Sequence, residues 1–392
     1  MARDAAGKAS RAAGKGAPDP AEAVPLPRVN PLLLGQEEAE ATLLNAWSAG
    51  RMGHSWLITG PRGVGKATLA HRLARFVLAK GAAGPVAGST DAGPLQTLDM
   101  NPAEPLFQRI AGGGHGDLRV VERGFADERQ ARRDLDAGRA PRRRGEIVVD
   151  DVRGVGGFLS LTPAEGGWRV VVIDAADEMN RNAANAVLKV LEEPPRRALM
   201  LLVAQNPARL PATIPSRCRR LTLRPLSEAV MRDLLGRYRP DLDGEAQVIL
   251  MGLARGSIGD ALALARQGGL AVYRDMTGIL ADLPRLDVGR LHALGDKAAQ
   301  DDIAWSLLRD LLPGWLGRLA RFVAAGEGAG AQATPGEAEI MTRLGRAAPL
   351  EQWIAVWEKT SHLLGRTEAV HLDRKQAVLA AMLMVERTAA RA

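Results

Sequence analysis

Residues 60–68 read GPRGVGKAT. Gly60, Gly65 and Lys66 have the spacing of a phosphate-binding loop, G-x-x-x-x-G-K-[ST], with Gly63 inside it. Such a loop turns backbone N–H groups onto an anion, adds a lysine charge, and points the N-terminus of the next helix at the same place. The last position departs from the pattern. A hydroxyl there would hold Mg²⁺, and the residue is Ala67. Thr68 comes one residue later, turned about 100° around the helix, so its hydroxyl is not expected to reach the same ion. Gly60, Gly63, Gly65, Lys66 and Thr68, with Asp174 at the end of the strand VVVID, form a candidate nucleotide or phosphate site. The alternative is that GPRGVGKAT is only a tight link from strand to helix.

Metal chemistry has little to work with. Cys218 is the single cysteine, so neither a disulfide framework nor a cysteine-based zinc site can be built within the chain. His115 alone cannot hold zinc and reads as an exposed loop histidine. No metal is expected.

The elements around these residues follow from their patterns. HSWLITG (54–60) is a short apolar strand ending in glycine, and KATLAHRLARFVLAK (66–80) is an amphipathic helix. WRVVVIDAADEMN (168–180) reads as a buried strand and a turn. RNAANAVLKVLEEPP (181–195) is a helix stopped by two prolines, and ALMLLVAQNP (198–207) is another buried strand. Near-continuous apolar strands alternating with helices predict an α/β fold whose parallel sheet is covered on both faces. EIVVDDVRGVGGFLSL (146–161) is expected to be a helix. Residues 81–145 are expected to be a Gly- and Arg-rich insertion of loops around a few short elements, with a strand at 118–122. Arg142, Arg143 and Arg144 are expected to be solvated. From Ser227 the chain reads as helices throughout, broken by an exposed loop at 324–337. Trp305, Trp315, Trp353 and Trp357 are expected in their core.

The chain has 392 residues and 46% hydrophobic residues, enough for two or three packed domains. A net charge of +7 weakly favours a polyanionic partner, whereas 4% aromatic residues argue against a base-stacking platform. Residues 1–28 look like a flexible basic arm with no secretory h-region. No apolar run is long enough to span a membrane, and the single cysteine suits a reducing cytoplasm.

Three stretches, HSWLITGPRGVGKATLA, VVVIDAADEMNRNAANAVLKVLEEPP and LLVAQNPARLPATIPSRC, in this order and spacing, resemble the ATPase-type core of bacterial DNA polymerase III clamp-loader subunits. GSIGDALAL (256–264) resembles the family's lid motif. The resemblance covers residues 30–392. It implies an AAA+ core at 29–225, a helical lid at 226–283 and an all-α collar at 284–392 that joins subunits into a ring, which loads the sliding clamp at primer–template DNA.

It also gives each position a role. The residue after Asp174 is a water-activating glutamate in the family's motors, and here it is Ala175. The lid arginine after GS-x is replaced by Gly259, and Arg255 lies four residues too early. Gln205 or Asn206 fits the sensing position, and Asp177 and Glu178 read as helix-start charges. Many relatives carry a four-cysteine module between the phosphate helix and the next strand. Here 98–120 has no cysteine, and Leu106, Phe107 and Ile110 are expected to pack in its place. Ser216-Arg217-Cys218 is whole, and the resemblance makes Arg217 an arginine finger that reaches a neighbour's γ-phosphate. On residues alone it is also one of three arginines, with Arg219 and Arg220, on a basic edge. Arg153 and Arg181 are candidates for contacts to the DNA backbone.

A chain that keeps its finger but lacks three parts of its own site resembles the ring's stationary subunit, which requires no cofactor. The alternative is an ATP-hydrolysing motor of the gamma/tau type. The implied partners are gamma/tau ATPase subunits, delta, the sliding clamp and primer–template DNA. Whether phosphate or nucleotide still occupies the loop is left open.

Overall fold

The computed structural model describes residues 25–81, 97–139, 141–165, 167–325 and 336–390. Most of the arm, part of the 81–145 insertion and most of the 324–337 loop lie outside the described residues. The chain divides into two compact units. One comprises residues 1–60 and 65–223; the other comprises 61–64 and 224–392.

The first unit is built on a parallel five-stranded sheet. In chain order it holds α1 (Glu37–Ser48), β1 (Ser55–Thr59), α2 (Lys66–Lys80), α3 (Pro105–Ala111), β2 (Leu118–Val121) and α4 (Glu128–Asp136). There follow α5 (Val149–Val152), α6 (Val155–Ser160), β3 (Arg169–Asp174), α7 (Arg181–Glu192), β4 (Ala198–Val203) and β5 (Arg219–Thr222). The strand order is β2-β3-β4-β1-β5. Each pairing is parallel, with Ser55 opposite Met200, Leu57 opposite Arg220, and Ile173 opposite Leu202. β1 and β4 are buried at every residue and β3 at all but its last, as strands covered on both faces must be. The edge strands β2 and β5 are partly exposed. The carboxyl ends of the central strands gather the phosphate loop after β1, Asp174 after β3 and Gln205 after β4, which is where open α/β sheets place their ligands.

Several expectations are corrected. The segment 146–161 is two short helices, α5 and α6, interrupted at Arg153 and Gly154. Gly154, Gly156 and Gly157 carry a low helix propensity, and a Cβ at Gly154 would fall 2.5 Å from Arg119 Nη1. The few short elements expected in the insertion include a helix, α4, capped by Asp127, whose carboxylate accepts from the Arg129 and Gln130 N–H groups. The arginine run is not simply solvated. Arg143 pairs with Glu122 at 2.8 Å and Arg144 with Asp151 at 2.7 Å.

The second unit is helical throughout its described elements. α8 (Glu228–Tyr238), α9 (Gly244–Ala254), α10 (Ile258–Arg266) and α11 (Gly269–Asp282) precede α12 (Val288–Gln300) and α13 (Asp302–Ala325). α14 (Glu337–Ala347), α15 (Leu350–Ala369) and α16 (Arg374–Ala389) close it. One apolar core runs from Ile249 on α9 to Ala389 on α16 and holds Trp305, Trp315 and Trp353. Trp357 is exposed instead, because it falls on the outer side of α15. Within this core Arg318 donates to Glu337 Oε1 and to Tyr273 Oη, both at 2.8 Å, so the buried carboxylate is neutralised where it stands.

Candidate functional site

The phosphate loop joins the end of β1 to the start of α2. Gly60, Gly63 and Gly65 have φ of 135°, 71° and 100°, a region that side chains with a Cβ avoid. Gly65 is the N-cap of α2, and Leu33 lies against it: a Cβ at Gly65 would fall 2.5 Å from Leu33 Cδ1. Lys66 is buried, and its Nζ donates to the Gly60 carbonyl at 2.9 Å. Thr68 is buried on α2.

The tip of the loop packs on the start of α10. The Gly259 N–H donates to the Gly63 carbonyl at 3.0 Å. A Cβ on Gly63 would lie 2.2 Å from Ser257 Oγ, and a Cβ on Gly259 would lie 2.7 Å from Gly63 Cα. Two glycines therefore meet backbone to backbone, a separation that no other residue pair allows. Beside them Arg62 and Asp260 are 3.8 Å apart and exposed. Arg255, by contrast, sits at the C-cap of α9 in a left-handed conformation, with φ 49°.

Asp174 ends β3, next to the loop. Burial chiefly, and then the Glu122 carboxylate, push its pKa up to about 6, with Lys66 pulling the other way. Ala175, the next residue, is buried and offers no carboxylate. Asp177 has a role that its sequence context did not reveal. It is buried rather than a surface helix-start charge, and its two oxygens accept from the Gln205 and Asn206 N–H groups at 3.1 and 2.8 Å. The turn after β3 thus holds the segment that follows β4. Asn206 in turn accepts from the Ala208 N–H at 3.2 Å. The one available signal was an acid set two alanines beyond the end of a buried strand.

Arg217 lies on the short turn before β5. Ser55 on β1 donates to its carbonyl at 2.9 Å, which ties that turn to the sheet. Its guanidinium is about a third exposed. Nη1 donates to the Thr213 carbonyl at 3.1 Å, and Nη2 meets Glu192 Oε1 at 2.9 Å. Arg219 is engaged differently: it stacks on Trp56 at 4.5 Å and donates to the Arg51 carbonyl at 2.6 Å. The basic edge is therefore not uniform.

With the loop, the acid and the arginine described, the chain can be compared with known proteins. Residues 35–227 match the family model described as DNA polymerase III, delta subunit. The chain is 34% identical over 216 residues to DNA polymerase III subunit delta' of Pseudomonas aeruginosa, covering 55% of this chain and 56% of that protein. Over residues 35–227 these matches support a clamp-loader subunit of the delta-prime type. It is also 29% identical over 310 residues to subunit tau of Escherichia coli, covering 74% of this chain and 43% of tau. The chain thus spans about half the length of the relatives it matches. Among solved structures it is similar to a gamma subunit-related protein from Thermotoga maritima, with 16% identity, a TM-score of 0.39, and coverage of 89% of this chain and 99% of that one.

Between α2 and β2 the chain has a small apolar helix, α3. Phe107 and Ile110 of α3 are buried and Leu106 is half-buried. The Arg75 guanidinium, held by the Arg28 and Asn30 carbonyls, stacks on Phe107 at 4.6 Å. His115 is buried, not exposed: its Nδ1 accepts from the Asp117 N–H at 3.1 Å, and burial chiefly lowers its pKa. It is a neutral group shaping the entry to β2. Asp117 pairs with Arg169 at 3.3 Å and accepts from the Ala164 N–H at 2.9 Å. Among the described residues no group of three or more His, Cys, Asp or Glu is arranged to hold a metal ion. No described helix is long and apolar enough to cross a membrane. Arg153 pairs with Asp150 at 2.9 Å, and Arg181 is exposed at the start of α7.

Proposed function

We propose that this chain is the stator of a clamp-loader ring: it lends Arg217 to the ATP held by a neighbouring gamma/tau-type subunit and does not hydrolyse ATP itself. The observation that carries this reading is the contrast between its two halves of an ATPase. At its own loop Ala67 lacks the magnesium hydroxyl, Ala175 lacks the water-activating carboxylate, and Gly259 stands where a motor carries the lid arginine. Gly259 packs so tightly on Gly63 that no side chain fits there. Arg217 is intact, partly exposed and held in an ordered turn. The proposed partners are the gamma/tau ATPase subunits and delta, and through the assembled ring the sliding clamp and primer–template DNA. The proposed organisation is an AAA+ core at 29–225, a lid at 226–283 and a collar at 284–392, in a cytoplasmic hetero-oligomer. No cofactor is required; Gly60, Gly63, Gly65, Lys66, Thr68 and Asp174 are the remnant of a nucleotide site.

The test is reconstitution with gamma/tau-type and delta subunits. Arginine fingers supply about 10³–10⁵ in rate. Arg217→Ala should therefore leave ring assembly intact and lower DNA- and clamp-stimulated hydrolysis at the adjoining motor site by at least about 100-fold. An unchanged rate removes the finger. The retained Lys66 and Asp174, and the similarity to tau, favour the alternative of an active motor. That reading requires ATP turnover by the isolated chain, abolished by Lys66→Ala. On the stator reading the isolated chain is inert and Lys66→Ala leaves clamp loading unchanged.

A further inference from the structure

We propose that Glu192 is the positioning residue of the arginine finger, holding the Arg217 guanidinium in the pose in which it meets the neighbour's phosphate. The inference rests on the finger reading and adds to it a residue from a different element. Glu192 lies in the last turn of α7, just before Pro194 and Pro195 stop the helix. A carboxylate there opposes the helix dipole, so helix stability does not account for it. Its Oε1 is 2.9 Å from Arg217 Nη2. Glu193, the next residue, has the same charge at the same helix end. It makes no side-chain hydrogen bond or ion pair among the described residues.

Donor arithmetic separates positioning from simple neutralisation. A guanidinium has five N–H donors in a rigid fork. Arg217 spends Nη1 on the Thr213 carbonyl at 3.1 Å and on Ser216 Oγ at 3.4 Å, and Nη2 forms an ion pair with Glu192 at 2.9 Å. The Nε–H remains for an anion. Loop contacts on one terminal nitrogen and a carboxylate on the other set the plane of the fork. An arginine so held has lost its rotamer freedom before the phosphate arrives, and reactivity depends on such prior alignment. A counter-charge that merely weakened the finger's field would act with the opposite sign, because removing it would strengthen attraction for phosphate.

The experiment uses the reconstituted ring, with the phosphate-loop lysines of the other motor subunits disabled so that single-turnover ATP hydrolysis reports only the site beside this chain. Glu192→Ala should lower the rate constant about three- to tenfold, the effect expected of a close ion pair that orients a reacting group, with ATP affinity changed less than twofold. Glu192→Asp, one methylene too short, should not rescue it. Glu192→Gln, which keeps the accepting oxygen, should fall between. Glu193→Gln should match the unmodified ring. In the Arg217→Ala background, Glu192→Ala should add nothing, since a positioning residue has no work once its arginine is gone. A Glu192→Ala ring that hydrolyses at the unmodified rate or faster, or a loss that adds fully to that of Arg217→Ala, overturns the proposal. If Arg217→Ala itself has no effect, the finger reading falls and this one with it; if Arg217→Ala is impaired while Glu192→Ala and Glu192→Gln are not, only the positioning role falls. Should Glu192→Ala fail to assemble, the near-isosteric Gln variant carries the same test.

Discussion

Gly259→Ala places a single methyl group where the structure leaves no room for one. The new Cβ would lie 2.7 Å from Gly63 Cα and 3.4 Å from the Gly63 carbonyl oxygen. Neither atom is the free end of a side chain, so the backbone must move. Overpacking of this kind costs about 1–3 kcal/mol. Movement also stretches the 3.0 Å bond from the Gly259 N–H to the Gly63 carbonyl, worth about 0.5–1.5 kcal/mol. Against these stands the helix propensity of alanine over glycine, at most about 1 kcal/mol and less in a first turn. The Ser257 cap, which accepts from the Asp260 N–H at 3.1 Å, is untouched by the change. The clash wins, and the second unit should lose about 1–3 kcal/mol. Urea unfolding followed by the buried Trp305, Trp315 and Trp353 measures the loss, and amide exchange over residues 257–266 localises it. A Gly259→Ala chain as stable as the parent, or more so, would refute the reasoning. Gly259→Arg adds the same Cβ, so restoring the motor residue should cost at least as much.

Two further perturbations probe the remnant site. Asp174 has a folded pKa of about 6 against an ordinary 3.8, so the folded state binds this proton more tightly than the unfolded chain does. Its stabilising contribution is complete below about pH 4 and is lost as pH rises through 6. Asp174→Asn should therefore stabilise the first unit by up to about 3 kcal/mol at pH 7.5 and leave it unchanged near pH 4. Urea midpoints at the two pH values measure this, and equal midpoints at pH 7.5 count against it. Asp177→Ala removes the acceptor of the Gln205 and Asn206 N–H groups and should cost about 1–3 kcal/mol, with faster amide exchange confined to residues 204–207. Unchanged exchange there would mean that solvent replaces the carboxylate without penalty.

Legibility followed the range of the interactions. The continuous apolar runs of β1, β3 and β4 were readable because a strand covered on both faces leaves no alternation to misread. β5 was not assigned as a strand: RRLT is polar and exposed on three of its four residues, and its strand state rests on pairing with β1. α4 escaped because its residues are mostly charged and only Ala131 is buried, so no apolar stripe announces it. His115 was misplaced because a glycine-rich context suggests exposure, whereas its ring is buried beside the distant Glu165, whose Oε1 lies 3.7 Å from Nε2.

The candidate site divides the same way. The substitutions Ala67, Ala175 and Gly259, and the intact Arg217, are statements about which atoms exist, and a sequence determines those outright. What tertiary structure alone decided is where those atoms meet. Gly63 touches Gly259 across nearly two hundred residues, Asp177 holds the end of a strand it does not belong to, and Glu192 pairs with an arginine from another element. Local propensity carries no information on such contacts, because each is created by the closing of a sheet or the packing of a helix and exists only once the chain is folded.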